Sequence, residues 1–103
     1  MAGKPQSEVF VLHDHGKLIA SVMVGHEGRR AWVYYLAVHP TRRGEGLGHA
    51  ALRCAETWAI SKGLPKMHLI IRSENASTMG FYESAGFEEN RVIMMQKWIK
   101  SER

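Results

Sequence analysis

The sequence is poor in cysteine and has no long apolar run, and each shortage excludes a class of protein. Cys54 is the single cysteine in 103 residues, so no disulfide can form within the chain. It shares a helical apolar spacing with Ala51 and Trp58, which predicts a buried structural thiol. No stretch approaches the roughly 20 apolar residues of a membrane span, and the N-terminal segment lacks the apolar core of a signal peptide. We therefore expect a cytoplasmic protein with no membrane partner.

Charge of one sign is not in large excess either. Fourteen Lys and Arg against ten Asp and Glu leave a formal net charge of +4, and 45% of the residues are hydrophobic. This composition is globular rather than disordered, and at this length it predicts one domain over residues 1–103. The modest positive charge is compatible with nucleic acid, an acidic substrate or a polyanionic cofactor, and it does not choose among them.

Apolar patterning predicts the order strand, strand, strand, helix, strand, helix, strand. Three β-rich runs separated by turn residues predict an antiparallel meander over residues 8–14, 17–24 and 31–38. The later segments predict a helix over 47–62 ended by Gly63, a strand over 66–72, a short helix over 75–86, and a last strand or hairpin arm over 87–99. Because a helix between strands permits a parallel crossover, we expect an α/β (α+β) fold with a mixed sheet.

Three glycines, Gly44, Gly46 and Gly48, alternate at the start of the first predicted helix. Without side chains, their backbone N–H groups can converge on an anion, and the helix start adds unpaired N–H groups and the positive end of its dipole. Arg42 and Arg43 are expected to add mobile positive charge. The pattern predicts a pyrophosphate site, with a flexible connector as the alternative. It matches neither the P-loop nor the dinucleotide fingerprint.

Two segments, in this order, resemble the GNAT superfamily of acetyl-coenzyme A-dependent N-acetyltransferases. Arg43-Gly44-Glu45-Gly46-Leu47-Gly48 resembles the family signature Q/R-x-x-G-x-G/A. The stretch NASTMGFYESAGF at residues 75–87 resembles the family segment N-x-x-A-x-x-F/L-Y-x-x-x-G-F, with Thr78 where alanine is usual. The resemblance covers about residue 8 to the end of the chain. It implies a GNAT-like acyltransferase fold that is shortened at its N-terminus.

The resemblance also implies a reaction, in which an amine directly attacks the thioester of acetyl-CoA, the cosubstrate, in a ternary complex. Tyr82 matches the tyrosine that protonates the departing thiolate, and Asn75 matches a cofactor contact. The backbone of Leu36, Ala37 and Val38, turned by a bulge at the end of its strand, is expected to meet the acetyl group. The pyrophosphate is expected on the loop and helix start formed by Arg43, Gly44, Glu45, Gly46, Leu47, Gly48 and His49.

The general base and the acceptor stay unassigned. Ile70 stands where one branch of the family has a glutamate, and the alternatives are Glu74, His26, His39 or an ordered water chain. The six histidines raise the question of a metal. However, His13 and His15 beside a turn have no third ligand fixed by spacing, so we expect none.

The family pattern usually begins with a strand and two helices that form one wall of the acceptor site, and this chain starts almost at the second strand. We expect a homodimer whose partner covers the bare surface, although a start assigned too far downstream is the other explanation. Two further interpretations stay open. One is a catalytically silent CoA-binding module; the other, less favoured, is a small nucleic-acid-binding domain using Trp32, Tyr34 and Tyr35.

Overall fold

The structure, a computed structural model, describes residues 6–71 and 73–100. Its strands are β1 (Ser7–Asp14), β2 (Lys17–His26), β3 (Ala31–Val38) and β4 (Met67–Leu69). They form one sheet in the order β1-β2-β3-β4. The first three strands pair antiparallel, and β4 lies parallel to β3. The predicted mixed sheet is therefore confirmed.

Two α-helices connect and follow these strands. The longer helix, α1 (Leu47–Ser61), begins after Gly46 and ends before Gly63, whose φ is +74°. The helix predicted over 47–62 is therefore confirmed. It ends before Gly63 because glycine readily adopts the left-handed conformation that stops a helix. The second predicted helix is split. A 3-10 turn (Ser73–Thr78) that is non-helical at Asn75 precedes α2 (Met79–Ser84).

The core lies between α1 and one face of the sheet. Val22 and Val24 on β2 are fully buried. The residues of α1 that face them are Gly48, Ala51, Leu52, Ala55, Trp58 and Ala59. Cys54 lies at the margin of this face and is half-buried, so the prediction of a buried thiol is wrong. The small alanines bring α1 close to the sheet, and they, rather than Cys54, define the packed face.

The last predicted strand is wrong, because residues 87–98 form neither helix nor strand. Their apolar side chains are largely exposed, and Ile93 is 90% exposed. A strand is held by main-chain pairing more than by its apolar pattern, and β4 offers a free edge of only three residues. The strand predicted over 66–72 is likewise shorter than expected, and Arg72 lies outside the described residues.

The face of the sheet opposite α1 is uncovered. Direct pairing places Val9, Met23 and Tyr35 in one row and Val11, Ser21 and Ala37 in the next. Val9, Val11 and Tyr35 are 49%, 45% and 47% exposed. Nothing within residues 6–71 and 73–100 packs over this apolar strip to bury it.

Candidate active site

β3 and β4 separate soon after they meet. They pair only from Ala31 with Met67 to Val33 with Leu69, whereas β3 continues to Val38. Among the described strands, none pairs with residues 34–38 on the side that faces β4. The N–H and C=O groups of this free edge are therefore open to an extended ligand, which can add to the sheet as a strand does. The predicted contact residues Leu36, Ala37 and Val38 all lie on this segment.

A β-bulge occurs within β3, but earlier than predicted. Val33 lies opposite Val24 and Tyr35 opposite Met23, so Tyr34 is the extra residue. A Cβ on Gly25 would lie 2.7 Å from Cε2 of Tyr34, so the absence of a side chain at Gly25 makes room for the bulged ring. The bulge precedes residues 36–38 instead of ending the strand, and it redirects β3 at the point where β4 departs.

The glycine loop follows a 3-10 turn (Pro40–Arg42) whose start is capped by His39. Nδ1 of His39 accepts a hydrogen bond from the N–H of Thr41 at 3.2 Å. Gly44 and Gly46 then have φ of +84° and +80°, which side-chain-bearing residues rarely adopt. A Cβ on either glycine would meet nothing within 4 Å. Both residues therefore present exposed backbone, as the sequence predicted.

The first turn of α1 offers further donors. Its N-cap, Gly46, supplies no side-chain hydrogen bond, and the first helical bond runs from the N–H of Ala50 to the carbonyl of Gly46 at 3.0 Å. The N–H groups of Leu47, Gly48 and His49 precede that bond and lie outside the helical ladder. Together with the dipole of a 15-residue helix, they form a region suited to an anion.

Arg42 does not supply the mobile charge that the sequence predicted. Its Nη1 lies 2.9 Å from Oδ2 of Asp14, and its Nε lies 2.9 and 3.0 Å from the two carboxylate oxygens of Glu45. Hydrogen bonding to these two carboxylates raises the pKa of Arg42 above its usual value, and Glu45 has a larger effect than Asp14. Arg43, which is exposed, is left as the cation beside the loop. The carboxylate of Glu45 is engaged with Arg42, so the group that Glu45 presents to a ligand is its main chain.

Helix α2 packs directly on the start of α1. A Cβ on Gly48 would lie 2.8 Å from Cζ of Phe81. The ring of His49 meets the ring of Phe81 at 4.7 Å, and Nε2 of His49 lies 3.0 Å from Oγ of Ser84. Gly48 thus differs from the prediction for the three glycines. It is buried, and its lack of a side chain makes room for the ring of Phe81.

Tyr82 follows the ring that makes this contact. Its own ring meets those of Phe81 at 5.0 Å and Phe87 at 5.8 Å, both edge-on, and it packs against the core. Burial raises the pKa of Tyr82 above the usual value of a phenol. The hydroxyl is therefore protonated at neutral pH, as a proton donor must be.

The other predicted residues are less well placed. Asn75 is exposed on the 3-10 turn before α2, and its carbonyl accepts a hydrogen bond from Oγ1 of Thr78 at 2.8 Å, a bond that the alanine usual at position 78 could not make. His26 pairs with Ala31, at the opposite end of β3 from Val38. This position separates His26 from the free edge. The other candidates for the base, which are His39, Glu74 or an ordered water chain, stay predictions.

The part of the chain that the structure describes contains no group of three or more His, Cys, Asp or Glu that could hold a metal ion. Asp14, between the two histidines considered for such a site, instead contacts Arg42. Within residues 6–71 and 73–100, every helix is too short or too polar to cross a membrane.

Two relatives are similar over most of this chain. An acetyltransferase of Pectobacterium atrosepticum is 37% identical over 94 residues, covering 91% of this chain and 67% of that protein. An acetyltransferase of Yersinia pestis is 36% identical over 91 residues, covering 87% of this chain and 64% of that protein. The matched part of the chain thus spans about two thirds of the length of these relatives.

Solved structures share the architecture. An acetyl transferase of Pyrococcus furiosus has a TM-score of 0.78 at 27% identity, covering 92% of this chain and 68% of that one. An aminoglycoside N-acetyltransferase solved in complex with CoA has a TM-score of 0.81 at 20% identity, covering 92% and 78%. At 20% identity this second likeness concerns the fold alone. A family model described as the acetyltransferase (GNAT) family matches residues 1–87, and the chain therefore belongs to the GNAT acetyltransferase family, a family of acyltransferase enzymes.

Proposed function

We propose that this chain binds acetyl-CoA and transfers its acetyl group to a primary amine of an acceptor by direct attack in a ternary complex. The observation that carries the proposal is the separation of β3 from β4 after Val33, next to the glycine loop. An opening between parallel strands beside an anion-binding helix start suits a ligand with an amide-bearing arm and a pyrophosphate.

The loop and the strand would divide the work of positioning. The exposed backbone at Gly44 and Gly46 and the first N–H groups of α1 suit the pyrophosphate, with Arg43 as the nearby cation. The free edge of residues 34–38 suits the amides of the pantetheine arm. Holding two reactants in register can remove roughly 7 to 11 kcal/mol of barrier in the most favourable cases.

The chemical step assigns a role to main chain and to one side chain. The amine nitrogen forms a bond to the thioester carbon, and the carbon–sulfur bond then breaks. The N–H groups of residues 36–38 would stabilise the negative charge on the carbonyl oxygen. The neutral hydroxyl of Tyr82 would protonate the departing thiolate, and burial supports this role because it keeps the hydroxyl protonated. The proton of the attacking amine leaves to a base that we do not assign.

The partners proposed are acetyl-CoA, an amine acceptor and a second copy of this chain. The uncovered face that carries Val9, Val11 and Tyr35 supports a homodimer, because apolar strips of this kind mark association surfaces. A two-fold axis through this face would bury the same residues on both copies. Ala37 belongs to the same face, so a partner there would also wall one side of the proposed acetyl site.

Calorimetric titration of acetyl-CoA into the chain tests the cofactor assignment, with two tryptophan variants that form a matched pair. Gly46→Trp places a large ring at the loop, and Gly63→Trp places it at the far end of α1. Both glycines have positive φ, at +80° and +74°, and both have open space at the Cβ position. Backbone strain is therefore matched, and only Gly46→Trp should lose binding.

The outcomes separate the remaining alternatives. Binding that Gly46→Trp loses and Gly63→Trp keeps, followed by turnover on a panel of amines that includes aminoglycosides and peptides, supports the enzyme. Binding without turnover on any amine supports the silent CoA-binding module instead. A folded chain that does not bind acetyl-CoA contradicts both.

A further inference from the structure

Arg42 joins two parts of the chain that are distant in sequence. Its Nη1 contacts Asp14, at the end of β1, and its Nε contacts both carboxylate oxygens of Glu45, between the two exposed glycines. We call these contacts among Asp14, Arg42 and Glu45 the Arg42 bridge. The bridge is the connection that ties the carboxylate of Glu45 to the β1–β2 hairpin. The hairpin is paired from Ser7 with Gly25 to Asp14 with Lys17, with one register shift between Leu12 and His13.

The loop needs such a connection because its own residues give it little support. Gly44 and Gly46 flank Glu45, and a Cβ at either position would meet nothing within 4 Å. A glycine on each side also gives the backbone of Glu45 unusual conformational freedom. The carboxylate of Glu45, held by two oxygens to one guanidinium nitrogen, limits that freedom.

The charges of the bridge argue against a direct role in binding. Two carboxylates surround one guanidinium, so the cluster has a formal excess of one negative charge. A polyanionic ligand gains nothing from such a cluster by electrostatic attraction. Arg42 already contacts both carboxylates, so a phosphate that approached it would also meet their negative charge.

We propose that the Arg42 bridge is a positioning device, in which Asp14 holds Arg42, and Arg42 holds Glu45, so that the loop amides are prearranged for the pyrophosphate of acetyl-CoA. Asp14, Arg42 and Glu45 are positioning residues and do not touch the ligand through their side chains. The inference rests on the proposed function and extends it to the hairpin, which otherwise has no part in the site.

The two roles of Arg42 predict opposite effects when a carboxylate is removed. If Arg42 bound phosphate, Asp14→Asn would free it and remove a negative charge, and acetyl-CoA would bind more tightly. If the bridge positions the loop, Asp14→Asn and Glu45→Gln each weaken binding several-fold, although each variant is more positive by one charge. Electrostatics alone predicts tighter binding of a polyanion when a carboxylate is removed, so weaker binding by these variants would indicate positioning.

Glu27→Gln is the matched control. Glu27 forms an exposed ion pair with Arg30 at 2.8 Å, with the same three-residue spacing as Arg42 and Glu45, and it lies on the turn between β2 and β3. This substitution removes the same charge from a similar pair outside the loop. We expect its affinity for acetyl-CoA to equal that of the wild-type chain or to exceed it slightly.

The experiment is calorimetric titration of acetyl-CoA into the wild-type chain, the three single variants above, Arg42→Gln, and the double variant Arg42→Gln with Asp14→Asn. Thermal unfolding followed by circular dichroism shows that each is folded. Adding Asp14→Asn to an Arg42→Gln chain should have no further effect, because the two residues act in one series. Unchanged or tighter binding by Asp14→Asn overturns the bridge while leaving the proposed function intact. A folded wild-type chain that does not bind acetyl-CoA overturns both.

Discussion

Glycine has two kinds of physical use in this chain: at some positions it adopts positive φ, and at others it leaves room for an aromatic ring. Gly44 and Gly46 adopt positive φ in open space, which the motif around them predicts. Gly25 leaves room for the ring of Tyr34, and Gly48 leaves room for the ring of Phe81. The rings at Gly25 and Gly48 belong to other elements that the fold brings near, so no local pattern could have indicated these two uses.

The position of Tyr82 on a short helix could be predicted from the sequence, whereas the partners of Arg42 could not. The family segment places Tyr82 within α2, and the rings of Phe81 and Phe87 pack against its ring. Arg42 pairs with Asp14, 28 positions away in the chain, and only the folded hairpin brings the two together. The sequence therefore predicted the right chemical class for Arg42, a cation near the loop, but the wrong task.

Replacing Tyr82 with phenylalanine tests its role as a proton donor. We expect kcat to fall roughly 10²- to 10⁴-fold while the affinity for acetyl-CoA stays unchanged, because the ring contacts are kept. Since burial raises the pKa of Tyr82 above the usual value of a phenol, the hydroxyl keeps its proton until the pH is strongly alkaline. In the wild-type chain kcat should fall as the pH rises through that pKa, and the variant should lack this alkaline fall. A variant with full kcat would assign the proton to another donor.

At the scale of elements, the helix start, the antiparallel meander and the mixed sheet were predictable, but the last strand was not. The three-residue β4 has too short a free edge to hold a strand of the length that the apolar pattern over 87–99 predicts. Apolar spacing records which side chains avoid water, but not whether a neighbouring main chain exists to pair with. A cleft of about 800 Å³ between α1, β4 and residues 84–90 remains beside this segment.

The contact between α1 and α2 gives a paired prediction with opposite signs. Gly48→Ala would drive a methyl group into Phe81, whose Cζ lies 2.8 Å from the Cβ position, so we expect a loss of roughly 1 to 3 kcal/mol in the free energy of unfolding. Gly80→Ala, on α2 with nothing within 4 Å, should instead add about 0.5 to 1 kcal/mol.

Urea unfolding of the two glycine variants, measured without ligand, checks both signs. Phe81→Leu introduced into the Gly48→Ala chain should recover part of the lost stability, because leucine has no atom at the position of the phenylalanine Cζ. Equal stability of Gly48→Ala and the wild-type chain would mean that the ring of Phe81 moves aside freely.

For the whole molecule, the uncovered face of the sheet determines the proposed assembly. Light scattering at micromolar concentration should give the mass of two chains. Val11 on this face is 45% exposed, and Val11→Lys, which places a charge there, should yield the mass of one chain. Ile60→Lys, at a 67% exposed apolar position on α1 outside that face, is the control and should remain dimeric.

A wild-type chain that is strictly monomeric in this experiment would contradict the homodimer. Dissociation by Ile60→Lys but not by Val11→Lys would instead move the interface to the cleft beside α1. Both measurements use the mass alone, so they do not depend on acetyl-CoA binding or on activity.

The free edge of β3 presents main-chain groups to a ligand, and this affects which amino-acid substitutions the site tolerates during evolution. A ligand that pairs with N–H and C=O groups is indifferent to which side chains those residues bear, so alanine in place of Leu36 or Val38 would leave such pairing intact. Proline, which lacks the N–H, is the substitution that would interrupt it. Sequences can therefore diverge widely along this strand while the same kind of ligand is still held, and purifying selection should act there on backbone conformation rather than on residue identity.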